Sequence, residues 1–171
     1  MEGGYVTVTE VIRNSQKNRY LFRQLSNNVS GESYDPPEEN KVFFAYTHDS
    51  HGNKTLAGVA SYWPCKNPTG EKKCHELTYL FVKNYFQNQG IGKKLLFQVE
   101  KHARKVNAEA PVFLDAAKRA VGFFEKQGYA VVGEEKECLC GAALFRNLVP
   151  MQKSLKQAKW APPSSSQEEQ W

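Results

Sequence analysis

The chain has 171 residues, of which 40% are hydrophobic and 24% charged, a length and balance that suit one globular domain with a sizeable core. No apolar run approaches the ~20 residues needed to cross a bilayer, and the opening MEGGYVTVTEV lacks the basic and apolar regions of a secretory signal, so a cytoplasmic or nuclear protein without membrane partners is expected. The formal net charge is +5, but much of the excess sits at Lys93, Lys94, Lys101 to Lys105 and the C-terminal tail, where a basic face reads as solvation before it reads as a nucleic-acid site.

Other classes are excluded by pattern. No helix-turn-helix, zinc-finger or stacking-aromatic signature supports nucleic-acid binding. The sequons at Asn28 and Asn53 need a secretory context and are expected to be silent. The cysteines are Cys65, Cys74, Cys138 and Cys140; Cys74 adjoins His75, but no C-x2-C pair is present, so no metal is expected. Cys65 and Cys74 flank a hairpin and could lie opposite each other, yet a reducing compartment favours free thiols.

In chain order, residues 5 to 12 (YVTVTEVI) alternate as a strand. Asn14 or Ser15 can cap a helix carrying Leu21, Leu25 and Val29 at helical spacing. An acidic loop follows from Ser30 to Asn40, where Pro36 and Pro37 forbid a helix interior. KVFFAYTHD and KTLAGVASYW read as strands joined at SHGN, and CHELTYLFV as a third strand ending near Val82. A helix with Leu95, Leu96, Val99, Ala103 and Val106 on one face comes next, then the short buried strand PVFLDA. AKRAVGFFEKQG is a helix with Gly128 placed to end it, and YAVVGE and CGAALFRNL are the last strands. From Ser154 the pattern dissolves into a Pro/Ser-rich tail, so a domain over residues 1–153 and a disordered tail over 154–171 are expected. The fold class is α/β (α+β): a single domain with a mixed, mostly antiparallel central sheet flanked by helices. Such an open sheet has edges able to pair, which makes a homodimer an option.

The segment YFQNQGIGKKLL sits where the third strand passes into a helix. A helix start leaves N–H groups without partners and carries about half a positive charge, which together favour an anion. Glycine allows a tight turn and close approach. Gln87, Asn88, Gln89, Gly90, Ile91, Gly92 and Lys93 therefore suit a phosphate held by backbone amides, although the spacing is neither of the common phosphate-loop motifs. A plain tight turn with exposed lysines fits the same residues.

QNQGIG (Gln87 to Gly92) resembles the Q/R-x-x-G-x-G/A motif of the GNAT acyltransferases, and the order of elements from Tyr5 to about Lys153 matches that family as well. AVGFFEKQGY (Ala120 to Tyr129) is similar to the A-I-G-Y-F-x-K-Q-G-F helix of its histone-acetylating coactivator branch. The resemblance implies a GNAT fold and an N-acetyltransferase that moves an acetyl group from acetyl-CoA to a primary amine, either a small amine or polyamine or a protein lysine. It implies that Gln87 to Lys93 hold the pyrophosphate and that Leu80, Phe81 and Val82 pair with the pantetheine arm as an added strand. Ala120, Phe123 and Phe124 would wall the acyl end.

The chemistry needs a base, because freeing the lone pair of an amine with a pKa near 10.4 costs ~4.6 kcal/mol at pH 7. It also needs a donor for the carbonyl oxygen. Glu76 is the chosen base: it shares parity with Thr78, Leu80 and Val82 on an otherwise apolar strand, where desolvation would raise its pKa. In the coactivator branch a glutamate stands eleven residues before the loop glutamine, the separation of Glu76 from Gln87. His75 competes from the opposite face; Asp115 is a third candidate that suits capping of the next helix better. Phe124 stands where many GNAT enzymes carry a tyrosine acid, and Ala117 where they carry an asparagine, which puts a tyrosine-acid mechanism in doubt. Glu32, Asp35, Glu38 and Glu39 in the acidic loop would attract a cationic acceptor. The rival reading is a non-catalytic acyl-CoA-binding or protein-interaction module of GNAT fold.

Overall fold

In the computed structural model, which describes residues 4–137 and 147–156, the alternating N-terminal stretch is strand β1 (Tyr5–Val11). Ser15 caps helix α1 (Gln16–Ser30), its Oγ accepting from the Asn18 N–H at 3.4 Å, and Gly31 ends the helix in the left-handed region at φ 83°. Strands β2 (Lys41–His48), β3 (Lys54–Trp63) and β4 (His75–Val82) follow. A 3-10 turn (Asn84–Phe86) leads to helix α2 (Ile91–Asn107). Then come β5 (Val112–Ala117), a second 3-10 turn (Lys118–Ala120), α3 (Val121–Lys126), β6 (Ala130–Val131), β7 (Lys136–Glu137) and β8 (Asn147–Lys153).

One sheet runs β1-β2-β3-β4-β5-β8-β6, with β7 also pairing β8. Each pairing is antiparallel except β4 with β5. The sheet is covered on both faces, which is why β2 reads as an unbroken apolar run. Val42 and Phe44 meet Phe22 and Leu25 of α1 on one face. Phe43 and Ala45 meet Leu95, Leu96, Val99 and Ala103 of α2 on the other. No helix among the described residues is long and apolar enough to cross a membrane.

Two bulges shape the middle of the sheet. In β3 the register passes from Ala45↔Gly58 to Tyr46↔Leu56, leaving Ala57 as the extra residue, and its carbonyl accepts from the Lys83 N–H at 2.8 Å. In β4 it passes from Tyr62↔Leu77 to Ser61↔Tyr79, leaving Thr78 extra. Asn40 fixes this bulge by donating from Nδ2 to Ser61 Oγ at 2.7 Å and Thr78 Oγ1 at 2.8 Å. The bulge overturns the simple alternation expected along β4. Thr78 stays on the α1 face with Tyr79 and Phe81, while Leu80 and Val82 pack with the α2 cluster. Glu76 therefore does not share a face with Leu80 and Val82.

The C-terminal part departs from expectation in other ways. The segment YAVVGE yields only the two residues of β6, and AKRAVGFFEKQG is a 3-10 turn plus a short α3. Most of the expected strand CGAALFRNL lies outside the described part; within the described residues the last strand, β8, takes in its Asn147 and Leu148 and runs on to Lys153. Residues 138–146, including Cys138 and Cys140, lie outside the described part, and β8 continues through Pro150. Pro150 lacks an N–H, but its carbonyl accepts from Val132 at 2.9 Å. Leu155, expected in the tail, is only 3% exposed, and Lys156 pairs with Glu109 at 2.6 Å; residues 157–171 are outside the described part.

A buried ion pair joins three elements behind the sheet. The Glu100 carboxylate of α2 meets Lys153 Nζ of β8 at 2.5 Å and Arg104 at 4.0 Å. Lys153 also donates to the Gln127 carbonyl at the end of α3, at 2.8 Å. Burial pushes the Glu100 carboxyl pKa up, and the Lys153 charge opposes that shift.

Gly58 sits at the tightest crossing: a Cβ there would lie 2.9 Å from the Phe81 carbonyl oxygen and 3.0 Å from Leu95 Cδ1. Gly58→Ala is expected to cost ~1–3 kcal/mol, read as a lower urea midpoint, because backbone and helix must both give way.

Candidate functional site

β4 and β5 are in register at only three pairs, His75↔Val112, Glu76↔Phe113 and Leu77↔Leu114. Beyond Leu77 the Thr78 bulge carries β4 away, while β5 continues beside β8 to Ala117. The strands part around a cleft of about 420 Å³. Its lining brings together Glu76, Leu80, Phe81, Ala120 and Phe124, and adds Tyr34, Tyr79, Phe113 and Asp115. The β4 edge past Leu77 has no β5 partner, so its backbone groups on that side face the opening.

At the far end of β4 the chain turns into α2. Gln87 ties the turn to the strand, donating from Nε2 to the Val82 carbonyl at 3.1 Å and to Asn84 Oδ1 at 3.0 Å. Gln89 Nε2 reaches the Tyr85 carbonyl at 3.3 Å. Asn88 and Gly90 take left-handed φ values of 64° and 78°, and Gly90 is the residue that begins the helix. The first intrahelical bond runs from Lys94 N–H to the Gly90 carbonyl at 3.1 Å, so the amides of Ile91 and Gly92 precede the hydrogen-bonded ladder. Ile91 is buried, and no acid occupies the first turn. A Cβ on Gly92 would meet Phe123 Cζ at 3.5 Å and Val82 Cγ2 at 3.7 Å, ordinary contacts. Internal packing thus tolerates a side chain at 92, and its absence leaves room for a group from outside. Phe123 and Val82 converge here, next to the amides rather than in the cleft lining.

The three acid–base candidates separate cleanly. Glu76 lines the cleft, but its carboxylate is 42% exposed and meets Lys72 Nζ at 3.4 Å. The desolvation expected of an apolar strand is therefore only partial. His75 is wholly buried on the α2 side: its Nδ1 accepts from the Cys65 N–H at 2.9 Å and its Nε2–H donates to the Asn107 carbonyl at 2.9 Å. Both ring nitrogens are spent, and burial lowers its pKa, so it stays neutral and structural. Asp115 does not cap. It lies inside β5 and pairs with Lys136 at 3.5 Å, and the 3-10 turn after β5 has no side-chain cap.

The four loop acids are not one cluster. Glu32 accepts from the Tyr34 hydroxyl at 3.0 Å, and Asp35 pairs with Arg19 at 3.2 Å. Glu38 and Glu39 line a second groove, of about 1140 Å³, with Glu10, Trp63 and Lys72. Glu39 accepts from the Trp63 indole N–H at 3.1 Å. Groove and cleft meet at the Lys72–Glu76 pair. Tyr34, which the sequence did not single out, lies tilted against Tyr79 with ring centroids 5.1 Å apart. Its signal was an aromatic residue alone in a polar, proline-rich loop.

The family model described as acetyltransferase (GNAT) domain matches residues 10–155. No curated protein matches the chain in sequence. Among solved structures, it is similar to the ribosomal-protein-S18-alanine N-acetyltransferase of Escherichia coli (13% identity, 94% of this chain and 100% of that one, TM-score 0.66). It is also similar to Escherichia coli ElaA (13%, 88% and 100%, TM-score 0.65). A third is a spermidine N-acetyltransferase SpeG chimera from Vibrio cholerae and hSSAT (14%, 88% and 95%, TM-score 0.63). At these identities the likeness is one of fold, and the matching family does not single out the histone-acetylating branch.

The buried neutral His75 predicts an acid limb. Below the ordinary imidazole pKa, about 6.5, the unfolded chain takes up a proton that folded His75 refuses, so stability is full above that pH and falls below it. Burial lowers His102 in the same direction. The melting temperature should drop between pH 7 and 5, and His75→Asn should flatten part of that slope.

Proposed function

Because the chain belongs to the GNAT family of acetyl-CoA-dependent N-acetyltransferases, we propose that it acetylates a primary amine by direct attack, with Glu76 as general base. The observation that carries this reading is the parting of β4 from β5 beside the leading amides of α2. An open strand edge leads through a short turn to the leading amides of a helix, a sequence that suits a long cofactor with an anionic middle. The residues present fit acetyl-CoA: no first-turn acid repels its phosphates, and Gly92 leaves them room.

In this mechanism Gln87 to Lys93 hold the pyrophosphate through main-chain N–H groups. The β4 edge from Leu80 to Val82 aligns the pantetheine arm as an added strand. Ala120 and Phe124 exclude water from the acyl end, while Phe123, expected there too, packs beside Gly92 at the pyrophosphate end. When bound, acetyl-CoA supplies a thioester as acyl donor. Glu76 takes a proton from the incoming ammonium, directly or through one water, and a β4 backbone N–H steadies the carbonyl oxygen. Phe124 has no proton for the departing thiolate, which leaves that proton to water. The acceptor approaches from the groove that holds Glu38 and Glu39, whose charges favour a cationic small amine, polyamine or protein lysine.

Two outcomes test this. Glu76→Gln should lower kcat ~10²–10³-fold while calorimetric affinity for coenzyme A stays within twofold; an unchanged kcat would remove Glu76 from the mechanism. Coenzyme A binding with no turnover of any amine by the wild type would favour the non-catalytic module. Glu38→Gln with Glu39→Gln should raise KM roughly 3–10-fold for a polyamine and leave an arylamine, neutral at pH 7, unaffected.

A further inference from the structure

We propose that Lys72 is an internal acceptor, acetylated by its own chain when acetyl-CoA is bound and no outside amine competes. This inference rests on the reading of Glu76 and the cleft given above. Lys72 Nζ lies 3.4 Å from Glu76 Oε2, the carboxylate assigned to deprotonate the acceptor. The same ammonium sits over the Trp63 ring, 4.6 Å from its centroid. Trp63 and Glu76 are cross-strand partners of β3 and β4, and the Trp63 indole is itself held by Glu39. Two adjacent strands thus form a seat for a primary ammonium, with an aromatic face from Trp63 and one carboxylate, Glu76, that is also the assigned base. The chain's own lysine fills it.

The position of Lys72 is fixed from its backbone. Cys65, buried where β3 ends, donates from Sγ to the Lys72 carbonyl at 3.1 Å and from its N–H to His75 Nδ1 at 2.9 Å. The connection from β3 to β4 is therefore cinched at its base, and Lys72 reaches Glu76 from an anchored point. The pair is not a helical one, since Lys72 is in the loop and Glu76 in β4. Lys72 and Glu76 are both near half exposed, and a pair so exposed adds little to stability, so folding alone gives little reason for it.

The step balances without a further reactant. The ammonium gives one proton to Glu76, which releases it to solvent. The Nζ lone pair attacks the thioester carbonyl carbon, the new C–N bond replaces the C–S bond, and the second proton leaves on the coenzyme A thiol. The product is a neutral acetyl-lysine that can no longer pair with Glu76.

The test incubates the full-length protein with acetyl-CoA and no added amine, and maps lysine acetylation by peptide mass spectrometry. Lys72 should be modified at least ~10-fold faster than Lys66 and Lys73 of the same loop, because its amine is already positioned. The rate should not depend on protein concentration, should fall when a polyamine is added, and should be lost in Glu76→Gln and in heat-denatured protein. Equal labelling of the three lysines, equal labelling after denaturation, or a rate that rises with protein concentration would overturn the inference. If outside amines are turned over with Lys72 untouched, this inference fails and the proposed function stands. If neither reaction occurs, the assignment of Glu76 fails with it.

Discussion

Everything in this molecule that resembles a working site depends on how long β4 stays paired. On its β3 side it is bonded along its length, but on its β5 side the ladder stops after Leu77. A strand cannot leave one neighbour and keep the other without a local twist, and the extra residue Thr78 supplies it. Asn40 then holds the twist by bonding across to Ser61 and Thr78. One residue inserted in one strand thereby opens the cleft and rotates Leu80 and Val82 onto the α2 face. It also leaves Glu76 at the mouth, where the groove lined by Glu38 and Glu39 begins.

That insertion also explains what could and could not be read from the sequence. The amphipathic face of α2 was legible because Leu95, Leu96, Val99 and Ala103 repeat at helical spacing, and all four are buried. The turn was legible because Gly90 stands where a left-handed residue must begin the helix. The faces of β4 were not: a bulge changes parity without a mark in an apolar run such as ELTYLFV, and only the partner strand reveals it. The run of β8 past Leu148 was not legible either. Pro150 forbids one ladder bond, but local chemistry cannot say that its carbonyl finds Val132 instead. Tyr34 escaped because a loop residue's destination depends on tertiary packing, here against Tyr79 and Phe81.

Buried ionisable groups around the sheet are handled in two ways. His75 is kept neutral by burial and by two backbone bonds, which turn a potential base into a brace between the β3–β4 connection and α2. Glu100 is kept at its site by a cation, and that cation also holds the end of α3. The wall carrying Phe123 and Phe124 is therefore attached to α2 through charge as well as through packing. Glu76 belongs to neither group, since water and Lys72 share its carboxylate.

The Glu100–Lys153 pair has a chemical consequence as well as a mechanical one. A protein that harbours an activated ester risks damaging itself, because any nearby unprotonated amine is a target. Lys153, which fastens three elements together, lies behind the sheet with its nitrogen held between a carboxylate and a carbonyl. Its side chain is only 17% exposed and its nitrogen is held by both contacts, which denies it the access that acylation requires and keeps the fastening intact.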